Sequence, residues 1–421
     1  MLRKATSLPR GMRRLRLPTM IPRGTPDIDW ADLGCALAAC LGTEDSAKLN
    51  ERVESIWGQP QKTLVCLSVR SGFDLFLQAA GWPPGSEILT SAVTIHDMAR
   101  IIRHHQLTPV PLDICPRTLA VDPAQLAEKI TPRTKAVLLA HLFGSRLNLD
   151  ALLAAAHARG VMVIEDCAQA YDGTFRGHVA SDVRMFSFGP IKTATALGGA
   201  LLHVADASIL GRMRALQARY ASQNRGRFMR RVLQTAAIKW IARPIVFGAF
   251  ALACKQLGTD HNRVLRRAMR GFPGDDLIRQ IRRAPSAPLL RLLQRRLTAS
   301  ISKRIDRRIA LAEKVILNLN DIDRPGRLVR DHSHWVLPIN SRDPRELVRF
   351  LWTRGFDATR SASSLEAVAA PCDRPDTAPQ RAAEMLSSVV YLPVYRKQSQ
   401  RQLAELVGSI EEFENGLDTN P

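Results

Sequence analysis

The stretch that decides the reading runs from Val161 to Ala200: VMVIEDCAQAYDGTFRGHVASDVRMFSFGPIKTATALGGA. It opens on a short apolar run, Val161–Ile164, of the kind that forms a buried strand. Glu165 and Asp166 stand where that strand ends, and open α/β sheets hold their ligands at the carboxyl ends of strands. A loop with Gly173 and Gly177 leads to a second short strand, Arg184–Phe188. The turn Gly189-Pro190-Ile191-Lys192 then carries a lysine, followed by small residues and Gly198-Gly199. Taken singly, Lys192 reads as well as a solvated turn lysine, and Asp166 as a helix cap. The combination S-F-x-x-x-K, with E-D-x-x-Q upstream, points to chemistry instead. A lysine that attacks a carbonyl must first lose its proton, and burial or a cationic neighbour lowers its pKa.

Outward from that stretch, the chain alternates short apolar runs with helical patterns. Strands are expected at 63–69, 87–90, 109–112, 135–140, 161–165, 184–188 and 200–204. With helices between most of them, they predict a mainly parallel, doubly wound seven-stranded sheet. Two features near the amino end bear on a ligand. Ser71-Gly72-Phe73 follows the first strand and opens the helical run Phe73–Ala80, so unpaired amides there form an anion site. Ser91-Ala92-Val93-Thr94-Ile95-His96 follows the second strand. Beyond residue 300, a long helix, short strands near 334–339, 356–359 and 389–394, and a last helix 398–417 predict a small α+β domain.

Composition bounds the rest. The 421 residues suffice for two or three domains. Seven cysteines without CxxC spacing argue against a disulfide framework or a zinc ribbon, and suit a reducing cytoplasm. No metal ligand set is expected. The net formal charge is +21, and its distribution matters more than its size. Residues 211–310 hold 21 Arg and 3 Lys against 4 Asp and no Glu, a net of +20. Within this segment Val232–Cys254 is apolar, and its longest uncharged run, Pro244–Cys254, is too short to span a bilayer. It reads as a helical hairpin packed on the protein or, because Trp240, Ile245 and Phe247 stand beside many arginines, as a surface for anionic lipid. Without a nucleic-acid motif, and with few aromatics placed for stacking, nucleic acid is not an expected partner. Residues 1–26 are basic and lack the apolar core of a secretory signal, which predicts a basic arm.

The 161–200 motif, with the elements before it, resembles the pyridoxal 5'-phosphate (PLP) segment of the DegT/DnrJ/StrS sugar aminotransferase family, fold-type-I PLP enzymes. The resemblance implies that Lys192 is the catalytic lysine joined to PLP as a Schiff base. It implies Asp166 at the pyridine nitrogen, Gln169 over the ring, Ser187 at the phosphate, and Ser71, Gly72 and Phe73 in the phosphate cradle. Ile95 and His96 fall where the family stacks an aromatic on the ring. The chain departs from the pattern at Phe73, which replaces a threonine, at Ile95, and in 280–297, which lacks the family's cross-subunit asparagine. Ser286 or an arginine is the expected substitute.

The implied organisation is a basic arm 1–26, a PLP-binding large domain 27–205, a basic and apolar helical insertion 206–300, and a small α+β domain 301–421. The implied function is transfer of an amino group, from a donor such as glutamate, to a keto-sugar carried on a nucleotide. The chain would be a cytoplasmic homodimer, peripheral at the inner membrane face if the insertion binds lipid. Alternatives from the same residues are a lipid-linked or membrane-presented keto substrate, or a non-catalytic scaffold that keeps the fold.

Overall fold

A computed structural model describes residues 19–269, 271–272, 276–319, 322–360, 365–395 and 398–418. The first eighteen residues of the expected basic arm lie outside the described residues. Seven strands form the central sheet: β1 (Thr63–Cys66), β2 (Glu87–Ser91), β4 (Thr108–Leu112), β5 (Thr134–Ala140), β6 (Met162–Asp166), β7 (Val183–Ser187) and β8 (Ala200–Val204). Their order is β1-β8-β7-β6-β5-β2-β4. The five strands from β4 to β7 run parallel, and β8 runs antiparallel to both neighbours. A run such as Thr134–Ala140 is apolar almost throughout because helices cover both faces of the sheet. The fold is therefore α/β with a mainly parallel seven-stranded sheet.

Besides a cluster on β2, β4, β5 and β6, two cores flank that sheet. One gathers the faces of helices Val69–Ala80 and His96–His104 with β1, β7 and β8. The other packs Trp57, Phe186 and Phe188 against helices Trp30–Leu41, Ser46–Trp57 and Ala287–Thr298. A strand absent from the sequence reading, β3 (Val93–Ile95), pairs antiparallel with β10 (Leu365–Ala367). The carboxyl-terminal part has its own core, in which β9 (Leu337–Asn340) pairs with β11 (Val389–Leu392) and packs against helices Ser302–Asn318, Pro344–Thr353 and Gln400–Asp418. The expected strand at 356–359 is instead a segment with isolated bridges, Phe356 to Ile21 and Thr359 to Tyr391.

One boundary differs in a way that affects the site. β1 stops at Cys66, and the helix begins at Val69, not at Phe73. Ser68 is its cap, with Oγ accepting from the Ser71 amide at 3.1 Å. Ser71, Gly72 and Phe73 thus lie within the helix, buried. At Gly72 a Cβ would come within 2.3 Å of Leu202 on β8, so only glycine lets the helix pack this closely on the sheet.

Residues 206–300 are helical: Ala207–Gln217, Arg225–Ile241, Pro244–Gln256, His261–Met269, Leu277–Ile281 and Ala287–Thr298. The last is a core helix. Leu289, Leu290, Leu292 and Leu293 are fully buried, and so nearly is Arg296, whose guanidinium donates to Asp32 at 2.5 Å and to the Asp27 carbonyl at 2.7 Å. Among the described residues no single helix is long and apolar enough to cross a membrane. Arg225–Ile241 and Pro244–Gln256 pass such a test only together, bent by 103°.

Candidate active site

The strand ends define the site. β6 delivers Asp166, β7 delivers Ser187, and the turn before β8 delivers Lys192, all onto one cavity of about 230 Å³. Gln169, Ile95 and His96 line the same cavity. Ser71, Gly72 and Phe73 do not. Their place at the mouth of the helix is taken by Ser68, Val69 and Arg70, because the helix starts earlier than its β-branched Val69 suggested. The exposed helix-start amides are correspondingly those after Ser68.

Behind the cavity floor lies a hydrogen-bonded carboxylate. Glu165 Oε1 meets His141 Nε2 at 2.8 Å, and Oε2 accepts from the His178 amide and the Ser181 hydroxyl, both at 2.8 Å. His141 Nδ1 accepts from the Leu147 amide at 3.1 Å, which assigns the ring proton to Nε2 and makes it a donor to Glu165. Burial raises the Glu165 pKa, but these partners outweigh it and hold the carboxyl below its ordinary value. The ligand-type atoms of His141, Glu165 and Cys167 lie within 4.8 Å of one another. Both Glu165 oxygens are already engaged, so the cluster serves as a braced floor.

Asp166 is placed differently. Its Oδ1 accepts the Ala168 amide at 2.9 Å, and its carboxyl lines the cavity. Burial pushes its pKa above the ordinary value, against the pull of that amide, Lys192, His141 and Arg70. A cation held against this carboxyl would relieve the burial cost. Across the cavity, burial pushes the half-buried Lys192 amine down from 10.5 to about 8; Asp166 opposes the shift and Arg70 assists it. A carboxylate in need of a cation thus faces an amine able to shed its proton.

The sequence reading missed the residue that covers Lys192. Trp335 lies in the loop before β9; its ring centroid is 4.1 Å from Lys192 Nζ, and its Nε1–H donates to the Ile191 carbonyl at 3.0 Å. Gly144, at φ +102°, makes room for this loop, since a Cβ there would fall 2.5 Å from the Trp335 nitrogen. Arg308 donates to the Ser333 carbonyl at 2.8 Å and the Thr193 hydroxyl at 3.1 Å. It ties the carboxyl-terminal part to the residue after Lys192, and burial lowers its pKa to about 10.

The basic segment contributes too. Arg231, Met269, Gly271 and Phe272 line the cavity, and Arg231 donates to the carbonyls of Leu197 at 3.2 Å and Gly271 at 2.8 Å. Arg231 is therefore a wall residue, not part of a solvated basic cluster. Ser286 donates to Gln223 of the same chain at 2.9 Å. His96 turns onto Glu366 at 2.6 Å, leaving Ile95 as the apolar contact beside the cavity.

Residues 44–238 match the family model described as the DegT/DnrJ/EryC1/StrS aminotransferase family. The spore coat polysaccharide biosynthesis protein SpsC of Bacillus subtilis is 37% identical over 196 residues, covering 42% of this chain and 50% of that protein. GDP-perosamine synthase of Caulobacter vibrioides is 33% identical over 165 residues, covering 38% and 44%. The chain thus spans half or less of the length of these two curated relatives. A putative sugar aminotransferase from Streptococcus pneumoniae, solved in its PLP form, superposes over 94% of this chain and 99% of its own with a TM-score of 0.69 at 14% identity, a likeness of fold alone. With its motif, its sheet and these matches, the chain is similar through residues 44–238 to the DegT/DnrJ/EryC1/StrS aminotransferase family.

Proposed function

We propose that the chain is a PLP-dependent aminotransferase that moves an amino group from an amino acid, such as glutamate, to a keto-sugar carried on a nucleotide. The observation that carries this reading is the pairing of Lys192, with its lowered pKa of about 8, and the buried Asp166 carboxyl around one cavity. The residues present fit the cofactor. Lys192 Nζ would hold it covalently, and the raised Asp166 carboxyl offers the partner a protonated ring nitrogen needs. Gln169 and Ile95 would border the ring; Ser187, Ser68 and the helix-start amides beyond it would take the phosphate. When bound, the cofactor supplies an electron sink for the carbanion formed at the reacting carbon.

The chain's own groups do the proton work. Lys192 Nζ is half neutral near pH 8 and takes the proton from the donor's amino-bearing carbon. In the second half of the exchange it delivers one to the acceptor carbon. Trp335 shields the amine from water, and Arg308 steadies the turn that carries it. The keto-sugar acceptor is supported by the names of relatives such as GDP-perosamine synthase. We read the active form as a homodimer, as in the enzymes whose motif the chain shares, and the basic helical segment as a peripheral contact with an anionic membrane. The test of the reaction is to supply PLP, glutamate and a panel of nucleotide-linked keto-sugars. Formation of 2-oxoglutarate and an amino-sugar in equal amounts is expected. No 2-oxoglutarate with any acceptor, together with no covalent capture of PLP, would overturn the reading in favour of a scaffold.

A further inference from the structure

Helices of the basic segment present apolar residues to solvent at helical spacing. On Arg225–Ile241 the inward positions Phe228, Val232 and Thr235 are buried, whereas Met229, Leu233, Ala237 and Trp240 are exposed. On Pro244–Gln256 the inward positions Phe247, Gly248 and Cys254 are buried, whereas Ile245, Ala249, Leu252 and Ala253 are exposed, with Leu257 80% exposed just beyond. Residues four, then three or four, apart share one helix face, so each helix carries an outward apolar stripe opposite its packed face. A third stripe lies alongside. Helix Trp30–Leu41 runs antiparallel to Arg225–Ile241, with Lys239 near the Trp30 ring and Arg225 donating to the Gly42 carbonyl. Its exposed positions are Trp30, Ala31, Gly34, Ala38 and Leu41.

Around the two stripes of the basic segment the charge is almost all of one sign, whereas Asp29 and Glu44 flank the third. Residues 225–269 hold eight Arg and two Lys against the single acid Asp260. The amino-terminal chain joins the same surface: the Met20 amide donates to the Pro244 carbonyl at 3.1 Å, at the elbow between the two helices. A second copy of this chain is a poor cover, because a two-fold contact would set this surface against itself, basic on basic.

We infer that the outward faces of helices Trp30–Leu41, Arg225–Ile241 and Pro244–Gln256 dock on an anionic lipid bilayer. Leu233, Trp240, Ile245 and Leu252 enter the headgroup–acyl boundary, and Arg227, Arg230 and Arg263 meet the phosphates. This deepens the peripheral-contact reading above and does not depend on the amino-transfer chemistry. It has a consequence for access. Arg231, on the inner side of helix Arg225–Ile241, lines the cavity, so docking brings the cavity wall beside the bilayer.

The experiment is co-sedimentation of the full-length protein with vesicles of phosphatidylcholine alone or mixed with phosphatidylglycerol. Covalent capture of PLP at Lys192 is measured on the same samples. The protein should sediment with the mixed vesicles only, and less so as salt is raised. The triple variant Arg227→Glu/Arg230→Glu/Arg263→Glu should lose at least about tenfold in apparent vesicle affinity. Leu233→Ser/Leu252→Ser should lose the part of the binding that survives high salt. Both variants should capture PLP as the parent does. Equal sedimentation with both vesicle types, or with neither, overturns the inference. So does a vesicle-independent dimer that Leu233→Ser/Leu252→Ser dissociates, which would give the surface to a second copy. Loss of PLP capture in the parent would instead strike the amino-transfer reading alone.

Discussion

The sheet and the helical segment 206–300 handle charge in opposite ways. At the sheet's carboxyl edge each ionisable group has a few short, specific partners: Glu165 with His141, the His178 amide and Ser181; Asp166 with the Ala168 amide across from Lys192. The pKa values of Glu165, Asp166 and Lys192 are moved by burial and by named neighbours. In the helical segment, charge is abundant, mostly basic and largely on the outside, while a few arginines are drawn inward as structural pins. Arg296 holds Asp32, and Arg231 holds two carbonyls beside the cavity. The contrast separates charge placed to set the reactivity of one amine from charge that supplies a field and a few anchors.

The sharpest way to break this comparison is Lys192→Ala. If the edge of the sheet is the reactive region, turnover should fall by at least about 10²–10⁴-fold, with no residual covalent capture of the cofactor. Turnover close to the parent's would move the chemistry elsewhere. Next in size is Arg296→Ala, which strips Asp32 of one buried partner but leaves Arg295 at 2.7 Å. The cost should sit near the lower end of the range for broken buried pairs, about 3 kcal/mol, read as a lowered Tm. Cofactor capture by the folded fraction should persist. An unchanged Tm would remove Arg296 from its role as an anchor.

Trp335→Ala tests the cover over Lys192. Burial is the largest cause of the lowered pKa, so opening the site to water should raise it, despite the loss of the ring contact. In the parent, cofactor capture should rise with pH through about 8, as the amine loses its proton. In the variant that midpoint should move upward; a downward move would show that the ring contact outweighs desolvation. The smallest effect concerns His332 and His334, stacked in the loop beneath Trp335 with ring centroids 4.2 Å apart. Burial first, then neighbouring charges, holds His334 at about 4 and His332 at about 2, against 6.5 for a free imidazole. Below pH 6.5 the unfolded chain binds protons that the folded chain refuses, so stability should decline as pH falls towards 4. A Tm flat between pH 7 and 5 would contradict this.

The strands of the sheet were legible because each is an apolar run bounded by turn residues, and the site residues because they sit at the ends of those runs. Asp166, Gln169, Ser187 and Lys192 line one cavity for that reason. What stayed hidden depends on distant parts of the chain. Val93–Ile95 pairs with Leu365–Ala367, some 270 residues away, and its three β-branched residues are too short a run to mark a strand alone. Trp335 reaches Lys192 across the fold through the space at Gly144. The early start of helix Val69–Ala80 was masked because Val69 prolongs the apolar run of β1, while its signal, Ser68 as cap, is a single polar residue. The buried roles of Arg296, Arg308 and Arg231 left no mark in the sequence, since an isolated arginine gives no sign that a buried aspartate or carbonyl awaits it.

The central claim is that Lys192, facing Asp166, is the residue that holds the cofactor. The direct measurement is to load the purified protein with PLP, reduce it with borohydride, digest it and locate the label by peptide mass mapping. One label is expected, on Lys192, absent from Lys192→Ala. A label on another lysine, or none on a protein that still binds PLP, would contradict it.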